Sequence, residues 1–158
     1  MSTQASAILT NTATRVAAVT AQTAIGGRKT FRHQTMVYDA EDLLDLKDPT
    51  RAFSVVFESA DEGVPLLSQT NNTGPQVATY ELAIAYKQAK SGTALMKAIG
   101  EDRDDVTHEL QRVDGDRYDE TNTKLWRRRV TGSTVEYDEG SGGVALLRMT
   151  VACDYLPS

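Results

Sequence analysis

Val77 to Gln88 reads VATYELAIAYKQ. Apolar and aromatic side chains recur at every second place, Ala78, Tyr80, Leu82, Ile84 and Tyr86, while Thr79, Glu81, Ala83, Ala85 and Lys87 fall between them. A period of two is that of a β-strand, whose successive side chains point to opposite faces. The first set predicts a core-facing surface. The small residues of the second set predict packing beneath a helix or a neighbour. A sheet is therefore the centre of this fold, and the rest of the chain is read for what pairs with it and covers it.

Val144 to Tyr155, VALLRMTVACDY, repeats the pattern, with Ala145, Leu147, Met149, Val151, Cys153 and Tyr155 facing one way. At about 3.3 Å per residue this strand spans about 40 Å. The glycine-rich EGSGG before it predicts a long C-terminal hairpin. Its other arm is read as two strands, Lys124–Val130 and Thr134–Asp138, separated by a turn at Thr131-Gly132-Ser133. Ala52–Glu58, AFSVVFE, is a short buried strand, and Arg28–Tyr38 a further one. Asp61–Gln76, with two prolines and many turn residues, predicts a surface excursion, and Asp114–Thr123 a polar loop. AEDLLDLKDP reads as one helical turn or an irregular loop.

Two helices are expected. From Ser2 to about Ala24, apolar residues at Ala5, Ile8, Leu9, Ala13, Val16 and Val19 keep three- and four-residue spacing, with Gly26-Gly27 as the C-terminal stop. Thr93–Val113 carries an i, i+4, i+7 stripe at Val106, Leu110 and Val113. Gly100, followed by Asp102, Asp104 and Asp105, predicts a break there, because carboxylates favour a helix N-terminus. The fold class is α/β in the α+β sense. It is a single domain over residues 1–158, a mixed, mainly antiparallel sheet with the N-terminal and mid-chain helices packed on it.

The totals agree with one ordinary globular domain: 158 residues, 40% hydrophobic and 25% charged. A formal net charge of -5 argues against general attraction to phosphate or to a membrane surface. No secretory signal and no run near the membrane-spanning length is visible, which predicts no membrane partner and assembly in the cytoplasm. The one cysteine, Cys153, lies among strand-forming residues and reads as a buried hydrophobe.

Sites of chemistry were sought motif by motif. His33 and His108 have no His or Cys at metal-ligand spacing. VDGDRYDE fails as a calcium loop, since with Asp114 first and Asp116 third the fifth position is Tyr118 and the sixth is not glycine. GGRK lacks the phosphate-loop spacing. No catalytic, metal-binding or cofactor-binding residue is assigned, and the expectation is a protein that is not an enzyme.

One cluster stands out. Leu125–Val130 reads LWRRRV inside an acidic chain. On a strand, alternation puts Leu125, Arg127 and Arg129 on one face and Trp126, Arg128 and Val130 on the other. Three uses stay open: a solvated face with intrachain ion pairs, a contact between subunits, and nucleic-acid binding. The flanking DGDRYDE and EYDEG weigh against nucleic acid, whereas arginine is favoured at protein interfaces.

The order of parts, an N-terminal helix, AFSVVFE, ATYELAIAY, a helix ending DRDDVTHELQRV, then LWRRRV and the closing GGVALLRMTVACDYLP, resembles the tail terminator (tail completion) proteins of long-tailed bacteriophages over about Thr3 to Pro157. The resemblance is one of element order and length. It implies a structural virion protein that caps the tail tube as a homo-hexameric ring, ends tube polymerisation and forms the joint to the head connector. Its partners would be further copies of itself, the tail tube protein and the head–tail connector or neck proteins, and DNA would pass through the bore without sequence-specific binding. Its place would be the tail end of the virion. The interface residues expected on this reading are Trp126, Arg127, Arg128 and Arg129, with Asp61, Glu62, Asp114 and Asp116 as acidic counterparts. The alternatives are a head-completion or neck connector protein, and a small nucleic-acid-binding module using Arg127–Arg129.

Overall fold

The computed structural model describes residues 4–62, 76–87, 92–112, 125–138 and 144–155. Helix α1 (Gln4–Ala17) leads into the strands β1 (Thr20–Ile25), β2 (Arg28–Thr30) and β3 (Arg32–His33), a 3₁₀ turn (Ala40–Asp45), and β4 (Ala52–Glu62). Strand β5 (Gln76–Lys87), helix α2 (Gly92–Gln111) and the strands β6 (Leu125–Asp138) and β7 (Val144–Tyr155) complete it. A five-stranded sheet has the order β3-β4-β5-β7-β6, with β1-β2 forming a separate ribbon. Only the β3–β4 pairing is parallel; β4–β5, β5–β7 and β6–β7 are antiparallel. The mixed, mainly antiparallel α+β fold and the long C-terminal hairpin are as expected.

Strand β5 is central because both its faces are covered. Ala78, Tyr80, Leu82, Ile84 and Tyr86 join the main core with Ala145, Leu147, Met149, Val151, Cys153 and Tyr155 of β7, under α1 and α2. On the opposite face Ala83 and Ala85 lie against Ala40 and Leu43 of the 3₁₀ turn. The alanines let that turn approach closely, and Asp39 caps it by accepting a hydrogen bond from the Glu41 N–H at 3.1 Å. AEDLLD is thus a helical turn rather than a loop. It covers one end of this face only.

The helix expected to reach Ala24 stops at Ala17, and Thr20–Ile25 is a strand. Gly26 and Gly27 have φ of 57° and 77°, and Ile25 pairs with Arg28. They form the two-residue hairpin turn that needs positive φ at both places, not a helix stop. Threonine decides the difference. Inside α1 the hydroxyls of Thr10, Thr12 and Thr14 donate to the carbonyls of Ser6, Ile8 and Thr10, which the helix tolerates. Beyond Ala17 the β-propensity of Thr20 and Thr23 wins once β2 offers a partner.

Helix α2 is continuous through Gly100, so the expected break is absent. Leu95, Ala98, Ile99, Asp102, Val106 and Leu110 form one buried stripe. Packing of that stripe outweighs the cost of about 1 kcal/mol for an interior glycine. Arg28–Tyr38 is divided into β2, β3 and a turn-rich tail, not one strand. The turn expected at Thr131–Ser133 is instead a bulge in one strand: Val130 pairs with Val151 and Gly132 with Thr150, so Thr131 is the extra residue. The unbroken length of β7 supplies pairing partners throughout and overrides the local turn signal.

Candidate subunit interface

The three arginines of LWRRRV have three different fates. A first bulge at Trp126 sets Leu125 opposite Tyr155 and Arg127 opposite Asp154, so strict alternation fails across residues 125–127. Arg128 stands opposite Cys153 on the helix side of the sheet and is 1% exposed. Its Nη2 donates to Asn11 Oδ1 at 2.7 Å, tying β6 to α1. Arg128, expected at a contact surface, is instead buried within the chain, where its guanidinium holds β6 to α1. Burial pushes the neighbouring Cys153 thiol up to about 11, with the Arg128 charge pulling the other way. Arg129 is half-buried and pairs with Asp154 at 3.3 Å. Arg127 is exposed and has no partner among the described residues.

The acidic candidates divide likewise. Asp61 and Glu62 do not open a surface excursion; they continue β4, paired with Val77 and Gln76. Asp114 and Asp116 lie outside the described residues, as does the Trp126 side chain.

The sheet brings these segments to its two opposite edges. Strand β3 covers β4 only at Ala52 and Phe53, and the Gln34 N–H extends this by donating to the Phe53 carbonyl at 2.8 Å. From Ser54 to Glu62 that edge of β4 has no strand partner among the described residues. The other edge is the outer side of β6, where the Gln111 side chain accepts a hydrogen bond from the Val130 N–H at 2.9 Å. The registers run straight across: Asp61, Val77, Asp154 and Arg127 form one row, and Ser59, Thr79, Ala152 and Arg129 another. The acidic end of β4 and the basic start of β6 therefore stand at the same level, three strand spacings or about 14 Å apart. Three antiparallel steps separate β4 from β6, so these edges run in opposite directions.

Charge on the outer face adds to this pattern. Arg148 gathers Glu81 at 2.6 Å and Glu136 at 3.0 Å. Glu58, exposed at the bulge of β4 between Phe57 and Ser59, is left beside Glu81. Burial first, then the charge and hydrogen bond of Glu81, raise its carboxyl above the ordinary range. Among the described residues Glu58 is thus a carboxylate without a cation at one edge, and Arg127 a cation without a carboxylate at the other. On the helix side of the β4 edge an apolar groove of about 610 Å³ runs along α1, lined by Leu9, Ala13, Val37, Tyr38, Val55 and Phe57.

A second ionic cluster was not foreseen. Arg51 and Asp102 are wholly buried, with Arg51 Nε 2.8 Å from Oδ2 and Nη2 3.0 Å from Oδ1. The Tyr86 hydroxyl donates to Oδ2 at 2.8 Å, and Arg51 Nη1 donates to the Arg28 carbonyl at 2.6 Å. Burial lifts the Asp102 carboxyl above its ordinary value, while Arg51 and then Tyr86 pull it down. Arg51 has φ of 56°, left-handed backbone that is unusual outside glycine. Its N–H donates to the Ala85 carbonyl at 2.7 Å, and its carbonyl accepts from the Arg32 N–H at 3.0 Å. This cluster joins α2, β5, β2 and the start of β4 and has no opening to solvent; its chemistry is structural. The sign of it in the sequence is Asp102, an aspartate within the apolar stripe of α2 whose neighbours Asp104 and Asp105 instead suggest a helix start.

Among the described residues no group of three or more His, Cys, Asp or Glu is placed to hold a metal ion. No described helix is long and apolar enough to cross a membrane. No model of a known protein family matches the chain, and no curated protein matches it.

Proposed function

We propose that this chain is a structural virion protein that caps the end of a phage tail tube as a homo-hexameric ring, ends tube polymerisation and forms the joint to the head connector. The observation that carries this reading is a sheet with two edges that lack a strand partner among the described residues, the acidic end of β4 and the basic start of β6, at the same level. A head-to-tail ring needs two different, complementary surfaces on one subunit. The element order seen in the sequence supports the tail-terminator form of such a ring. The nucleic-acid alternative loses its main support, since Arg128 is buried and Arg129 is paired to Asp154, leaving one free arginine where three had been counted. A single phosphate contact supplies little of the affinity that such modules draw from many.

The test is electron microscopy of tails assembled without this chain. Overlong or variable tubes without joined heads are expected. Tubes of normal length that fail to join heads move the protein to the neck, and normal infectious particles overturn both.

A further inference from the structure

We infer that the ring closes edge to edge, the start of β6 in one copy lying against the free end of β4 in the next, with Arg127 of one copy reaching diagonally along the edge to Glu58 of its neighbour. This contact rests on the ring reading above and names its partner, a second copy of this chain.

Three observations converge on it. Among the described residues the β4 edge has no strand partner from Ser54 onward, because β3 ends at His33. Rotation about a ring axis lying roughly along the strands keeps each residue at its own level, so the right edge of one copy meets residues of equal level on the left edge of the next. The rows put Arg127 level with Asp61 and Arg129 level with Ser59; Glu58, the bulged residue after Phe57, lies two to three residues, roughly 8 Å, along the strand from Arg127, a diagonal that a long arginine side chain spans. The two edges also run antiparallel, as a sheet continued by such a rotation requires for the commoner pairing.

The same geometry limits the contact. Val135 is level with Phe53, where β3 already occupies the edge of β4. A straight β6 would run into β3 of the next copy. The bulge at Thr131 bends β6 just before that point, and the Gln111 cap on the Val130 N–H ends the free part of the edge. Bulges and caps of this kind restrain indiscriminate edge pairing. Recognition then falls to charge. Glu58, crowded by Glu81, gains a cation; Arg127, without a partner among the described residues, gains a carboxylate. Opposite charges across an interface select register and partner.

A charge swap tests the pair. Particles are assembled with Arg127→Glu, with Glu58→Arg, or with both changes in place of the wild-type chain, and tail length and capping are scored by microscopy. Each single reversal sets like charges face to face and is expected to lower the capped fraction about tenfold. The double reversal restores the attraction and is expected to return it to near the wild-type level. Arg127→Lys and Glu58→Asp, which keep the charges, are expected to cap normally, and circular dichroism confirms that each variant folds. If a reversal fails to fold, Arg127→Gln and Glu58→Gln replace it, each expected to weaken capping. Normal capping by both single reversals overturns the contact and leaves the terminator reading standing. Failed capping by the singles without rescue in the double overturns the pairing. Tubes of normal length in the complete absence of the chain overturn the terminator reading itself.

Discussion

Arg51 and Arg127 carry the same guanidinium in opposite circumstances. Arg51 is sealed between β4, β5 and α2, with a bidentate carboxylate and a backbone carbonyl on its donors. Arg127 stands on an edge strand, open to solvent. The difference teaches how to sort charge in this chain. A charge answered within the molecule fixes how its elements meet, and its loss is felt in stability. A charge left unanswered at an edge does little for the fold and is available to another chain.

The largest expected effect breaks the sealed side. Asp102→Ala leaves Arg51 buried without its counter-ion, and urea unfolding should show a loss of about 3–5 kcal/mol. Alkaline titration comes next. The buried Cys153 thiol is raised from 9.0 to about 11, so between these values the folded chain keeps a proton that the unfolded chain releases. Its contribution is full below pH 9 and is lost as the pH rises through 11, on the order of 2–3 kcal/mol. Unfolding curves for wild type and Cys153→Ala at several pH values should separate over this window and run parallel below it. Tyr86→Phe removes one donor from a carboxylate that keeps Arg51, at a cost of about 2 kcal/mol, measurable by the same unfolding experiment. The smallest effect sharpens the open side. Arg127→Glu should change stability by less than about 0.5 kcal/mol while losing assembly. A large loss of stability there would erase the distinction between the two arginines.

Much of the fold was legible where one period runs unbroken. Ala78 to Tyr86 and Ala145 to Tyr155 alternate without interruption, and their pairing with each other builds the centre of the sheet. Legibility failed where a residue serves two structures equally well. Gly26-Gly27 ends a helix or turns a hairpin, and only the distant choice of β2 as partner decides. Thr131-Gly132-Ser133 reads as a turn until β7 holds it in line. The candidate interface was legible in part. Alternation correctly set Arg128 apart from Arg127 and Arg129, yet gave no hint that its face was the core, because arginine is seldom buried. Asn11, which receives Arg128, lies 117 positions away, and Asp102 lies 51 from Arg51. No local pattern links residues so far apart. The level match of Ser59 with Arg129 and of Asp61 with Arg127 is likewise a property of the register, not of either strand alone.

Strand β7 follows β4, β5 and β6 in the chain yet sits between β5 and β6 in the sheet. During synthesis the β4–β5 pair therefore waits for it with one side bare, and Asn11 waits for Arg128, about 6–23 s at ordinary ribosome speeds of about 5–20 residues per second. Until β7 arrives β6 has no strand partner among the described residues, and the sheet edge that carries Arg127 is not yet built. Under the proposed contact, a prematurely terminated chain cannot enter the ring. Under that contact, the order in which the strands are made would itself screen out incomplete subunits, without a separate factor to inspect them.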